Sequence, residues 1–272
     1  MKKIILTFVA SLSSLFVHSA SAQDHGHFYV GAIGTNQNDQ LIITNAADFV
    51  TNSGYVKTLT FTNGGRYAGY FQGNITFEAL PAFNGPGVPI SGSATLGSWV
   101  HAQITSVEGP AGGVFGFWEG GATIPTISIP CGTTSTNVWV ISNNGGAADT
   151  DPFGHIHGRR FTATKPGVYV VAFKALDRSI NGAGGGPIHI DSEILKIYFQ
   201  AGFNIVSLVK TENVQTATFG GLAGRTFHLE ASSDLSNTNW TSIGSIPGND
   251  YFQSLSETNA SHPRFYRIRI SP

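Results

Sequence analysis

The chain has 272 residues, with 15 Lys and Arg against 16 Asp and Glu, and only 11% of its positions are charged, under half the roughly 25% usual for soluble domains. Its 34 Gly and 12 Pro exclude coiled coils, helical bundles and basic nucleic-acid binders, while 41% hydrophobic and 11% aromatic content is ample for a packed core. The single cysteine, Cys131, excludes an intramolecular disulfide framework and any cysteine-built metal cage.

Lys2 and Lys3, the apolar stretch Ile4 to Val17 and the small residues Ala20-Ser21-Ala22 predict a signal peptide over residues 1–22. The apolar stretch is shorter than the roughly 20 residues a spanning helix needs. Its removal leaves 13 basic against 16 acidic side chains. A secreted, periplasmic or cell-surface protein is expected, with no membrane span after cleavage.

Beyond Gly26 the sequence reads as short strands punctuated by turns. Strands are predicted at Phe28 to Val30, Leu41 to Ile43 and Tyr55 to Phe61. Asn63-Gly64-Gly65 is a hairpin signal leading into a strand over Tyr67 to Phe77. Pro81 to Gly97, with three Pro and four Gly, reads as loop. Further strands follow at Trp99–Val107, Gly113–Trp118, Asn137–Ser142, Phe161–Thr164 and Val168–Leu176. A final one is predicted over His189–Phe199. Past a boundary near Ala201-Gly202, the strands Asn204–Val209, Thr216–Phe219, Phe227–Ala231 and Arg264–Ile270 make a compact unit. The expected class is all-β: a β-sandwich over 23–201 and a small C-terminal β module over 202–272.

The histidines carry the chemical signal. Two His-x-His pairs occur, His25-Gly26-His27 and His155-Ile156-His157. On a strand, residues i and i+2 share a face about 6.5 Å apart, and two such imidazoles can converge on one ion with bonds of about 2.0 Å. The alternative is a polar strand edge whose histidines face water. Trp99-Val100-His101 has the same i, i+2 spacing. With one Cys and no Met after the leader, imidazole, carboxylate and carbonyl are the ligands on offer, which suits copper, zinc or nickel. Cys131, followed by Gly132-Thr133-Thr134, does not fit a blue-copper site and reads as a small buried hydrophobe. Gln23-Asp24-His25 would suit square-planar Cu(II) or Ni(II) if Gln23 is the mature terminus. His189-Ile190-Asp191 could add a ligand or border a surface strand. No acidic pair, Gly-x-Ser-x-Gly elbow or Walker loop predicts an enzyme.

The run Phe153-Gly154-His155-Ile156-His157, with Phe161-Thr162-Ala163-Thr164-Lys165-Pro166-Gly167-Val168-Tyr169 and its closing strand to Asp177, resembles a family of bacterial surface proteins. Gly26-His27-Phe28-Tyr29-Val30-Gly31 and Val107-Glu108-Gly109-Pro110 with Phe115-Gly116-Phe117-Trp118 resemble that family's opening and central segments. Arg159-Arg160 depart from it, standing where many relatives have a neutral or aromatic residue. Trp99-Val100-His101 resembles the copper site of copper-repressible, surface-associated proteins of methane-oxidising bacteria. That resemblance implies Cu(I) held by histidines and by a Trp oxidised to kynurenine, so Trp99 enters as a candidate cofactor-binding residue.

Together these observations lead us to expect an exported metal-binding protein for acquisition or buffering at the cell surface, with copper as the ion and zinc as the alternative. The expected mononuclear site combines His101 with one or both of His155 and His157, with His27 nearby and His25 as a further candidate. A metal-free adhesion protein is the competing class. The C-terminal module, with Phe227-His228-Leu229-Glu230-Ala231, Asn239-Trp240 and Arg264-Phe265-Tyr266-Arg267, resembles units common on secreted proteins, and cell-surface components are the expected partners if it serves in attachment.

Overall fold

A computed structural model describes residues 27–50, 53–84, 88–235, 239–258 and 264–272. The predicted leader and the Gln23-Asp24-His25 segment lie outside them. The chain is all-β. Its first unit contains β1 (His27–Ala32), β2 (Leu41–Ile43), β3 (Val56–Thr62), β4 (Tyr70–Gly73), β5 (Thr76–Ala79), β6 (Phe83–Asn84), β7 (Val88–Pro89) and β8 (Val100–Glu108). It continues with β9 (Val114–Trp118), β10 (Ile127–Pro130), β11 (Thr133–Thr134), β12 (Val138–Val140), β13 (Gly154–His155), β14 (Arg160–Ala163), β15 (Gly167–Asp177) and β16 (Leu195–Ala201). The second unit holds β17 (Ile205–Thr211), β18 (Val214–Gly220), β19 (Thr226–Ser232), β20 (Thr241–Pro247), β21 (Phe252–Thr258) and β22 (Phe265–Ser271). No helix among the described residues is long and apolar enough to cross a membrane.

Two sheets face each other in the first unit. The smaller runs β13-β5-β1-β2, and the larger runs β10-β9-β14-β4-β3-β16-β15-β8-β11 with β12 also pairing β8. Alternation along each strand decides what fills the space between them. Phe28, Val30 and Ala32 of β1 and Phe77 and Ala79 of β5 are buried, and their phenyl rings meet the larger sheet. Phe28 lies 6.1 Å from Phe173, and Phe77 lies 5.5 Å from Phe173 and 5.3 Å from Trp139. The intervening positions of the smaller sheet, His27, Tyr29 and Glu78, therefore face away from this core. On β8 the inward positions are Val100, Ala102 and Ile104, all buried against the cluster, so His101 points to the outer side of the larger sheet.

Two predicted strands are corrected. Tyr67–Phe77 is not one strand. The hairpin loop runs on to Gly69, whose N–H bonds the Thr62 carbonyl at 2.9 Å, and the chain then crosses from β4 in the larger sheet to β5 in the smaller. His189–Phe199 shortens to β16, because the backbone before it is held by a side chain instead of a ladder: Ile188 and His189 N–H both bond the Asp177 carboxylate at 2.9 and 3.1 Å. The stretch expected as loop, Pro81 to Gly97, also carries the short β6–β7 hairpin.

The second unit stacks a β17-β18-β21 sheet on a β20-β19-β22 sheet, with Phe219 and Phe227 in contact at 5.2 Å. It is pinned to the first unit. Thr58 Oγ1 donates to the Gly221 carbonyl at 2.7 Å, Gly220 N–H to Gln200 Oε1 at 3.0 Å, and Val56 N–H to the Asp250 carbonyl at 3.0 Å.

Candidate metal centre

Three strands of the smaller sheet build a cluster on its outer face. β1 and β5 run parallel with His27 opposite Thr76 and Tyr29 opposite Glu78. β13 runs antiparallel to β5 and sets His155 opposite Glu78. Glu78 Oε2 thus lies 3.3 Å from His27 Nδ1 and 3.4 Å from His155 Nδ1. These spacings exceed the 2.7–2.9 Å of a charge-assisted N–H···O bond. They match the separation of about 3.3–3.4 Å between ligand atoms of a tetrahedral ion with bonds of about 2.0–2.1 Å. Among the described residues, His27, Glu78 and His155 are the group of His, Cys, Asp and Glu close enough to share an ion.

Gly154 explains how His155 reaches this place. A Cβ there would sit 1.8 Å from the Ile141 carbonyl oxygen, so only glycine lets β13 lie against the end of the β12 segment, where Asn143 N–H bonds the Phe153 carbonyl at 2.9 Å. Gly158, at φ +88°, turns the chain out after His157 in a conformation that favours glycine. His157 lies beyond the two-residue strand, yet its ring stays 4.3 Å from that of His155, and the His27 ring lies 4.9 Å from His155 on another side. Burial lowers the pKa of His155; Glu78 opposes the shift and the neighbouring His157 and His27 add to it. A neutral imidazole, the form that binds metal, is therefore favoured at neutral pH. His155 Nε2 is buried with no hydrogen-bond partner.

Two openings flank the cluster. His157 borders a cavity of about 370 Å³ together with Lys57, Thr76, Arg160 and Asp250. His27 borders another of about 250 Å³ with Tyr29, Asp48, Tyr55 and Tyr251. Asp250 and Tyr251 belong to the second unit, so a single loop of that unit walls both openings.

The structure does not bring His101 to this group. Trp99 and His101 do share a face, with rings 4.5 Å apart, as their spacing predicts. That face is the outer side of the larger sheet, across the core from Glu78. His101 is buried, its Nδ1 is 3.0 Å from the Trp99 carbonyl, and burial lowers its pKa, with that carbonyl opposing. The indole of Trp99 packs close over Gly146, where a Cβ would lie 3.1 Å from the ring. His189 is likewise a structural residue: its Nε2 accepts from Thr95 N–H at 3.0 Å and its Nδ1 lies 2.9 Å from the Asp39 carbonyl. Cys131 packs at the core margin, and burial raises its thiol pKa.

Sequence reasoning missed Glu78. Its signal was modest: a carboxylate at the outward position of a strand whose alternate residues, Phe77 and Ala79, point inward. Comparison with protein-family models, with curated proteins and with solved structures finds no match.

Proposed function

We propose that this protein binds a transition-metal ion between His27, Glu78 and His155, and that it serves in metal acquisition or buffering outside the cytoplasm. The observation that carries the proposal is Glu78 Oε2 set 3.3 and 3.4 Å from two imidazole Nδ1 atoms, a spacing suited to a tetrahedral ion. Two imidazoles and one carboxylate form a common zinc donor set, leaving a fourth position for water or an incoming ligand. Export is supported by the leader-like residues 1–22. The role is one of holding and handing on an ion.

Copper is the second reading, favoured by His157. With its ring 4.3 Å from His155, a small rotation of the 155–157 segment would offer a third imidazole and so a softer, all-nitrogen set. Competition titrations separate the two ions. The purified chain is titrated with Zn(II) in air and with Cu(I) under anaerobic conditions, each against a chelator of known affinity. One equivalent of zinc bound in preference to Cu(I), and lost in His155→Ala, is the expected result. Preference for Cu(I) with loss in His157→Ala would support the second reading. Absence of any stoichiometric binding would leave the adhesion class.

A further inference from the structure

The cavity beside His157 continues into a second one, of about 510 Å³, along the seam between the two units; they share Lys57, Asn74, Arg160 and Leu222. The far wall of the second cavity is the turn Leu222–Arg225, closed by the Arg225 N–H on the Leu222 carbonyl at 3.2 Å. In a chain this poor in charge, the seam stands out. Lys57, Arg160 and Arg225 all line the second cavity, and no carboxylate does. Arg160 and Arg225 differ from several cations elsewhere in the chain that have acidic partners: Arg159 pairs with Glu119, Lys174 with Asp191, and Arg267 and Arg269 with Glu230. Arg160 and Arg225 form no ion pair among the described residues; the one hydrogen bond of the Arg160 side chain is from Nη1 to the Arg159 carbonyl at 3.1 Å. The hydroxyls and amides of Thr58, Thr60, Gln72 and Asn74 line the second cavity as well, beside Gly73 and the Leu222, Ala223 and Gly224 of the turn. The seam holds these groups in place through the buried Thr58–Gly221 bond, one residue from the turn that carries Arg225.

We infer that the seam cleft is a binding site for an acidic oligosaccharide, whose carboxylate or sulfate groups pair with Arg160 and Arg225 while its hydroxyls bond the Thr, Gln and Asn lining. Guanidinium groups take both anions in a bidentate fork, and a lining with four hydroxyl or amide side chains and only Leu222 and Ala223 as apolar members suits a hydroxylated chain better than an apolar ligand. The C-terminal module thereby becomes one wall of a ligand site. This inference stands on the cations and not on the metal.

The test uses the full chain freed of metal by chelation and dialysis, titrated calorimetrically with a trimer of galacturonic acid, a sulfated trisaccharide and a neutral galactose trimer. We expect at least one acidic trimer to bind, with affinity falling as salt is raised, and the neutral trimer not to bind. Which acidic trimer binds assigns carboxylate or sulfate as the recognised group. Arg225→Gln, on an exposed turn, should weaken binding several-fold, and Arg160→Gln/Arg225→Gln at least tenfold, with zinc titration and thermal unfolding unchanged. Failure of both acidic trimers, equal binding of the neutral trimer, or full affinity in the double variant would overturn the inference. The zinc titration reports separately on the metal proposal.

Discussion

Glu78 is the direct cross-strand partner of His155, and its Oε2 lies 3.4 Å from the His155 Nδ1. The same oxygen lies 3.3 Å from His27 Nδ1, so a single carboxylate organises imidazoles from two strands that it separates. Glu78→Gln keeps the side chain's shape and removes its charge. Zinc affinity should fall by more than the roughly 10–100-fold that follows loss of an outer-shell partner. Thermal unfolding of the metal-free chain should move little, because partly exposed ion pairs contribute about 1 kcal/mol or less. Chelator competition and calorimetric unfolding of the same variant measure both.

His101 should behave in the opposite way. His101→Ala removes a buried ring packed on Trp99 and its contact with the Trp99 carbonyl, at a cost of about 1–3 kcal/mol. It should leave zinc affinity unchanged. The pH dependence gives a second readout. Because burial lowers the folded-state pKa of His101, the unfolded chain binds more protons there below about pH 6.5. The residue's contribution to stability is present above that pH and is lost as pH falls toward the lowered folded-state value. Denaturant unfolding between pH 7 and 5 should show a shallower loss in His101→Ala than in the parent chain.

Metal binding has its own pH signature. His155 is shifted toward its neutral form by burial, so protons compete with the ion only in acid. Zinc affinity should be nearly flat around neutral pH and fall in acid, with the proton competition at His155 displaced below the usual imidazole range. A decline beginning well above pH 7 would point to ligands other than imidazole and carboxylate.

Gly154 tests the positioning of the site by backbone alone. A Cβ at this residue would meet the Ile141 carbonyl oxygen at 1.8 Å, so Gly154→Ala must push β13 away from its neighbour. The expected result is a loss of about 1–3 kcal/mol of stability together with weaker zinc binding, although no ligand has been replaced. Wild-type zinc affinity in this variant would mean that His155 does not hold the ion.

Much of the fold was legible because alternation of apolar and polar residues fixes which way each strand faces. Val56 to Thr62, Val114 to Trp118 and Gly167 to Asp177 stand close to where the pattern placed them. The site was only partly legible. His27, His155 and His157 could be singled out by residue type and spacing. Glu78 could not, since its meeting with His27 depends on β1 and β5 running parallel, a pairing between segments 51 residues apart that no local pattern encodes. Trp99 and His101 show the converse: spacing set them correctly side by side, but it could not say that the core of the sandwich would lie between them and His155.

The most direct measurement is the anomalous-difference map of a crystal grown from zinc-loaded protein, collected on either side of the zinc absorption edge. The account predicts one peak per chain on the outer face of the smaller sheet, about 2.0–2.2 Å from a ring nitrogen of His27, a ring nitrogen of His155 and a carboxylate oxygen of Glu78. A peak beside His101 and Trp99, or at His25 with the Glu78 group empty, would contradict it.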